Sequence, residues 1–195
     1  YHYLRGEFKP VARKMQAAID EAYAAGYLGQ NVFGTNVEIQ MFLHLGAGAY
    51  ICGEESALLE SLEGKMGQPR LRPPFPAVVG LYGQPTVINN TETMANVPYI
   101  INNGAATYKQ LGTEKSPGPK IYCLSGHVKR PGNYEAELGK ITFRDLIYGE
   151  EFGQGMMTEG SKVKAILPSG ASGPIVTDSV LDVPLDYESV AAAGT

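Results

Sequence analysis

Glu54 and Glu55 stand side by side after the run Gly-Ala-Gly-Ala-Tyr-Ile-Cys-Gly, which extends from Gly46 to Gly53. An acid pair that opens a helix has two uses. Negative side chains are favoured beside the free N–H groups of a helix N-terminus. A carboxylate next to a glycine-rich turn can also accept hydrogen bonds from a sugar hydroxyl or an amide, while the free N–H groups hold a ligand's polar edge. Capping accounts for one glutamate but less easily for two, and the residues alone leave both readings open. A second polar run, Asn89-Asn90-Thr91, sets donors and acceptors at three successive positions ahead of another helix. One asparagine suits an N-cap, which leaves the rest unexplained. The two stretches together suggest backbone edges that approach a flat, polar ligand closely.

Between them lie Arg70, Arg72 and Phe75. An aromatic face with cations nearby suits a nucleotide base and its phosphates; the plainer reading is a solvated basic loop with Phe75 plugged into the core. Other chemistries find little support. His2, His44 and His127 are dispersed and form no metal-ligand spacing. Ser56 follows Glu55 and does not sit in a nucleophile elbow. Cys52 and Cys123 are the two cysteines, too few for a four-cysteine site and not in CxxC spacing, so two buried or partly buried thiols are expected. A net charge of -4 argues against a basic nucleic-acid footprint.

The elements that must position these groups are legible in outline. A chain of 195 residues holds one large core or two modest ones. Tyr1 to Leu4 predicts a strand. Pro10 opens a helix whose apolar stripe is Val11, Met15, Ala18, Ile19, Ala22 and Tyr23, ending near Gly26. Val37, Ile39, Met41 and Leu43 alternate as a strand does, and the glycine-rich turn and a helix over 56–62 follow. Met94, Val97 and Ile101 give helical spacing, although Pro98 disfavours one long regular helix, and Thr107 to Lys109 continue the element. A linker over 112–120 leads to a hairpin turning at Pro131-Gly132, a short helix capped by Thr142, and a strand over 163–167. This order suits a β-grasp module and sets a boundary near residue 115. No apolar run is long enough to span a membrane and no secretory signal is visible. An opening strand without an initiating methionine, and an end at Ser189-Val-Ala-Ala-Ala-Gly-Thr195, read as an internal piece of a longer protein.

GAGAYICGEESALLESLEG, the RLRPPFPA loop and TVINNTETMANV follow one another behind the opening YHYLRGEF. In that order they resemble the flavin- and NADH-binding subunit of bacterial respiratory complex I, the family of the 51-kilodalton subunit. Diaphorase subunits of NAD-reducing hydrogenases and NAD-linked formate dehydrogenases look similar. The resemblance runs through essentially the whole chain. It implies an α/β fold in which residues 1–115 form the central part of a Rossmann-like FMN-binding domain and 116–195 a ubiquitin-like β-grasp, or soluble-ligand-binding, domain. It implies FMN and NADH as cofactors of the longer protein, with hydride passing from NADH to FMN. Electrons then move on to iron–sulfur clusters, including a 4Fe–4S cluster in a later domain outside this chain.

Carried over, Tyr50, Gly53, Glu54 and Glu55 line the flavin and nicotinamide site, with the two glutamates positioning the rings. Ile88, Asn89, Asn90 and Thr91 match a second flavin-contacting loop. Phe75 matches an aromatic beside the adenine, and Arg72 a basic residue near the dinucleotide, where relatives can carry lysine; the two cations differ in hydrogen-bond geometry. No proton-transfer catalyst is implied, because the cofactor carries the difficult chemistry. The implied partners are other peripheral-arm subunits, above all the 24-kilodalton-type iron–sulfur subunit. The implied location is the cytoplasmic side of a bacterial inner membrane, as a peripheral subunit. An earlier glycine-rich FMN loop of the family lies outside these residues, so the isolated chain is expected to hold neither cofactor tightly, to carry no cluster and to be inactive. A cofactor-free module that docks a neighbouring subunit is the competing expectation.

Overall fold

Strand β1 (His2–Leu4) lies parallel to β2 (Leu43–Leu45), pairing His2 with Leu43, Tyr3 with His44 and Leu4 with Leu45. Parallel neighbours need a crossover, and helix α1 (Lys9–Ala24) supplies it. Pro10 sits in the first turn, where its missing N–H costs nothing. Ala12 and Ile19 are the buried positions of α1, whereas Val11, expected on the apolar stripe, is exposed. Gly26, at φ +74°, closes the helix: its N–H donates to the Tyr23 carbonyl and that of Tyr27 to Ala22. This double bond pattern is the Schellman cap, which needs the left-handed residue that glycine provides.

The computed structural model describes residues 1–194; Thr195, the last residue of the expected C-terminal domain, lies outside the described residues. The chain divides into two compact units, Tyr1–Asn90 and Thr91–Thr195.

In the first unit the strand expected over 37–43 is corrected to β2 alone. Upstream of it, Ile39 exchanges backbone hydrogen bonds with Gly29 at 2.7 and 2.9 Å. The Met41 N–H donates to the Tyr23 phenol oxygen at 2.9 Å. Those amides are committed to α1 and its exit, leaving the pairing with β1 to begin at His2–Leu43. After β2, residues 46–49 and a 3-10 turn (Tyr50–Gly53) lead into α2 (Glu55–Leu62). Helix α2 buries Ser56, Ala57 and Leu59, and ends in a second Schellman cap at Gly64, φ +78°. The proline- and glycine-rich stretch that follows is irregular apart from a 3-10 turn (Leu81–Gly83).

The second unit opens with α3 (Thr91–Asn103), which carries Pro98 inside it without ending there. Gly104, at φ +84°, then breaks the helix, so that Thr107 belongs to a separate turn, α4 (Ala105–Tyr108). The expected linker is a hydrogen-bonded turn: Ser116 is buried, and its hydroxyl donates to Glu188 at 2.6 Å. Strands β3 (Pro119–Leu124) and β4 (Gly132–Glu137) form the expected antiparallel hairpin. Cys123 lies on its exposed face beside Ile121, which corrects the expectation of two covered thiols; Cys52 is buried. Helix α5 (Phe143–Tyr148) starts in a capping box, with the Asp145 N–H donating to Thr142 Oγ1 and the Thr142 N–H to Asp145 Oδ2. The strand expected over 163–167 reduces to one bridge, Ile166 with Val176. Helix α6 (Tyr187–Ala192) closes the described chain. Val128, Phe143, Leu146, Ile147, Val180 and Leu185 are among the side chains that form this unit's core. Each contributes on the order of 1.5–3 kcal/mol by leaving water.

Candidate functional site

Glu54 is the N-cap of α2, in extended conformation. Its Oε2 accepts the Ser56 N–H at 3.0 Å, the Ala57 N–H at 2.9 Å and the Ser56 hydroxyl at 2.6 Å. The Ser56 hydroxyl, the helix amides and the Arg72 charge together hold the Glu54 carboxyl below the usual range against the opposing pull of burial. The group is therefore ionised at neutral pH. Its second oxygen, Oε1, is buried and has no hydrogen-bond partner among the described residues. The Arg72 Nη2 lies 3.3 Å from it as an ion-pair neighbour. Glu55, in the first turn of α2, takes the Arg72 Nη1 at 2.5 Å. One guanidinium thus spans both acids. Capping explains the first glutamate and pairing with Arg72 the second, while one carboxylate oxygen is left with acceptor capacity.

The glycines preceding this pair fall into two groups. A Cβ on Gly46 would strike the Tyr3 phenol, and one on Gly6 the Gly46 carbonyl oxygen; these glycines let the turns after β1 and β2 press together. Gly48, at φ +87°, adopts a backbone that other residues avoid. Gly53 has neither reason. Apart from its chain neighbours, no protein atom lies within 4 Å of where its Cβ would be, and its φ is not in the left-handed region. Its bare Cα face opens outward next to Glu54, which is what close approach of a flat ring to the backbone requires. Tyr50, at the start of the same turn, is exposed. The Glu54 oxygen without a hydrogen bond and the open Gly53 face fit a planar, hydrogen-bonding cofactor such as FMN.

Arg70 and Arg72 are two residues apart and do different things. Arg70 directs Nε to Glu60 at 2.5 Å, Nη2 to Glu63 at 2.7 Å and Nη1 to the Gly80 carbonyl at 2.9 Å. Lys65 Nζ and the Tyr82 N–H also converge on Glu63. The Lys65 ammonium, the Arg70 guanidinium and the Tyr82 amide lower the Glu63 carboxyl to about 2. A cleft of about 380 Å³ runs past Glu60, Glu63, Lys65 and Arg70, but these charges are spent on one another. Arg70 therefore braces the loop. Arg72 is the half-exposed cation of the pair, and Phe75 stands 59% exposed on the same loop, not plugged into the core.

The structure thus gathers Glu54, Glu55 and Arg72 into one cluster, flanked by Gly53 and Tyr50, with Phe75 on the adjoining loop. Ile88 is half-buried, and Asn89, Asn90 and Thr91 are exposed where the chain enters α3. Sequence reasoning missed the Ser56 hydroxyl, whose only local signal is a serine directly after two acids, and it did not separate the roles of the two arginines. No group of three or more His, Cys, Asp or Glu side chains suited to a metal ion occurs among the described residues. No helix among them is long and apolar enough to cross a membrane.

Residues 1–99 match the Nuo51 FMN-binding domain. The chain is 58% identical over 193 residues to an NADH-quinone oxidoreductase subunit of Mycobacterium tuberculosis, covering 99% of this chain and 42% of that protein. It is 52% identical over 195 residues to an NADH-quinone oxidoreductase subunit of Rhizobium meliloti, covering 100% of this chain and 45% of that protein. The chain therefore spans less than half the length of these relatives. Among solved structures, it resembles an NAD+-reducing NiFe-hydrogenase in the H2-reduced state with a TM-score of 0.81 and 39% identity, over 95% of this chain and 30% of that one.

Proposed function

Because the chain belongs to the Nuo51 FMN-binding domain family, we propose that it is the central portion of an NADH-oxidising flavoprotein subunit of an NADH-quinone oxidoreductase. The observation that carries this reading is the open backbone face of Gly53 beside an ionised glutamate with one oxygen free of hydrogen bonds. FMN, when bound, supplies the hydride acceptor and a route to one-electron carriers. The chain's own task is positioning. Gly53 would admit a ring against the backbone, and Glu54, whose Oε1 is buried beside Arg72, would keep that edge of the site negative. Tyr50 borders the same edge. Arg72, paired with Glu54 and Glu55, would meet a dinucleotide's phosphates, and Phe75 would stack on its adenine. Ile88, Asn89, Asn90 and Thr91 supply the second flavin-contacting loop. No side chain here is assigned a proton to move.

The finer reading extends to the rest of the chain. We assign residues 1–115 to the cofactor domain and 116–195 to a β-grasp domain, supported by the β3–β4 hairpin, the capped α5 and the Ile166–Val176 bridge. In the longer protein a 4Fe–4S domain follows, and a 24-kilodalton-type iron–sulfur subunit docks alongside. The assembly lies on the cytoplasmic side of a bacterial inner membrane. The likeness to an NAD+-reducing hydrogenase favours a second reading, a diaphorase subunit of such an enzyme or of an NAD-linked formate dehydrogenase. Neighbouring genes for quinone-module, hydrogenase or molybdenum-enzyme subunits separate these.

A flavin-fluorescence titration of the chain with FMN, repeated with NADH, tests the reading: saturable one-to-one binding supports it. A folded chain that binds neither ligand but does bind a partner subunit supports a docking module instead; one that binds nothing means that the site needs family segments outside these residues. Glu55→Gln gives a second test. It keeps the side-chain shape but removes the charge that aims Arg72. Both partners are more than a third exposed, so stability should change by less than about 0.5 kcal/mol. NADH affinity should fall about fivefold, the share expected of a partly screened charge pair. Unchanged NADH kinetics in the complete subunit would sink the role given to Glu55.

A further inference from the structure

We propose that Ser56 is a positioning residue of this site, its buried hydroxyl fixing at once the Glu54 carboxylate and the loop that carries Arg72 and Phe75. The inference deepens the function proposed above and rests on it for its effect on binding; its geometry stands alone. Ser56 is 1% exposed in the first turn of α2. A buried hydroxyl is costly unless satisfied, and alanine is the better helix former, so neither burial nor helix propensity accounts for a serine there.

Its proton can be accounted for completely. The Arg70 backbone N–H is a donor, so at 2.8 Å the Ser56 Oγ must accept from it. That leaves the hydroxyl proton for Glu54 Oε2, at 2.6 Å. A bond this short to an ionised acceptor is charge-assisted and directional. It turns Oε2 inward to the helix, and thereby leaves Oε1 as the oxygen without a hydrogen bond. The other bond fixes the backbone at Arg70, two residues before Arg72 and five before Phe75. One hydroxyl therefore ties the Glu54 carboxylate to the loop that carries Arg72 and Phe75.

Removing it should loosen the site without dismantling the helix. Glu54 would keep the Ser56 and Ala57 amides as a cap, and the Arg70 side chain would keep Glu60, Glu63 and the Gly80 carbonyl. The test compares the 195-residue chain with its Ser56→Ala and Ser56→Thr variants. Two readouts need no ligand: the pH titration of the Glu54 carboxyl by carbon-13 NMR, and hydrogen exchange at the Arg70 amide. A third is NADH affinity by fluorescence. Ser56→Ala should raise the pH at which Glu54 titrates, speed Arg70 exchange at least about tenfold and weaken NADH about tenfold. Its melting temperature should stay within about 5 °C of the parent, and Ser56→Thr should restore all three readouts. If Ser56→Thr does not fold, Ser56→Ala decides alone. An unchanged Glu54 titration or Arg70 exchange in Ser56→Ala overturns the proposal, as does unaltered NADH affinity when the parent chain binds NADH. A parent chain that binds no NADH confines the function proposed above to the longer protein, and the two ligand-free readouts then decide the role of Ser56 by themselves.

Discussion

Gly53→Val is expected to abolish most flavin binding while leaving the fold intact. The expectation comes from the empty space around Gly53: apart from its chain neighbours, no protein atom lies within 4 Å of a Cβ placed there, and its φ is outside the left-handed region. An added Cβ therefore meets no atom beyond its chain neighbours. It can even stabilise slightly, by about 0.5 kcal/mol, through a less flexible unfolded chain. With a ring seated against the backbone, the same side chain occupies the ring's place. Overpacking of this kind costs about 1–3 kcal/mol, so affinity should drop on the order of a hundredfold. Gly6→Ala is the contrasting control. Its Cβ would meet the Gly46 carbonyl oxygen, a backbone atom with no room to swing aside, and the fold should melt earlier for that reason. Paired measurements of FMN affinity and melting temperature, in the chain or in a longer natural protein containing it, separate the two glycines. If Gly53→Val binds FMN as the parent does, the ring does not approach there.

This contrast also marks where sequence reasoning stops. Local signals were readable: Pro10 at the start of α1, Gly26 at its end, Thr142 before α5, and Pro131-Gly132 between the hairpin strands. Each works through backbone dihedrals or bonds within a turn, so composition alone carries it. The acid pair before α2 and the glycine-rich approach were likewise visible. What was hidden depends on partners far along the chain. The alternation over Val37 to Leu43 is sound as a pattern, but the Tyr23 phenol, eighteen residues back, takes the Met41 amide. In β3 the apolar run Ile121-Tyr122-Cys123-Leu124 has a period of two, yet both faces look alike, so it gave no sign that Cys123 would be exposed. Gly46, Gly48 and Gly53 are the same letter with three different neighbours. Arg70 and Arg72 are likewise the same letter, told apart by the groups that reach them: Glu60, Glu63 and the Gly80 carbonyl for one, Glu54 and Glu55 for the other. Nothing local in Val163 to Leu167 says that Ile166 alone finds a bridge.

Arg70→Leu should be among the most destabilising single changes in the first unit, and Arg70→Lys should not rescue it. The unit's buried apolar side chains are few and mostly small: Ala12, Ile19, Val32, Cys52, Ala57 and Leu59. Much of the order in residues 65–86 instead comes from the Arg70 fork, whose three directions reach Glu60, Glu63 and the Gly80 carbonyl from a side chain that is 25% exposed. Leucine keeps the volume but leaves two carboxylates crowded together and a carbonyl unpaired. A fully buried network broken in this way would cost about 3–5 kcal/mol; discounted for partial exposure, about 2 kcal/mol is expected. In a unit of this size that lowers the melting temperature by about 10 °C. Lysine restores one charge but not a planar fork, so it recovers only part of the loss. The pH dependence supplies the decisive check. The Glu63 carboxyl, held at about 2 by Lys65, Arg70 and the Tyr82 amide, is depressed in the folded state. Its contribution to stability is therefore fully present above the ordinary carboxylate range near 4.5 and is lost as pH falls toward 2. Removing Arg70 lets the Glu63 value rise, so the variant has less to lose in acid. The gap in melting temperature between parent and variant should be widest near neutral pH and close progressively below about pH 4. A gap that stays constant from neutral pH to about pH 2 would mean that Arg70 stabilises the loop by packing its stem, not by pairing its charge.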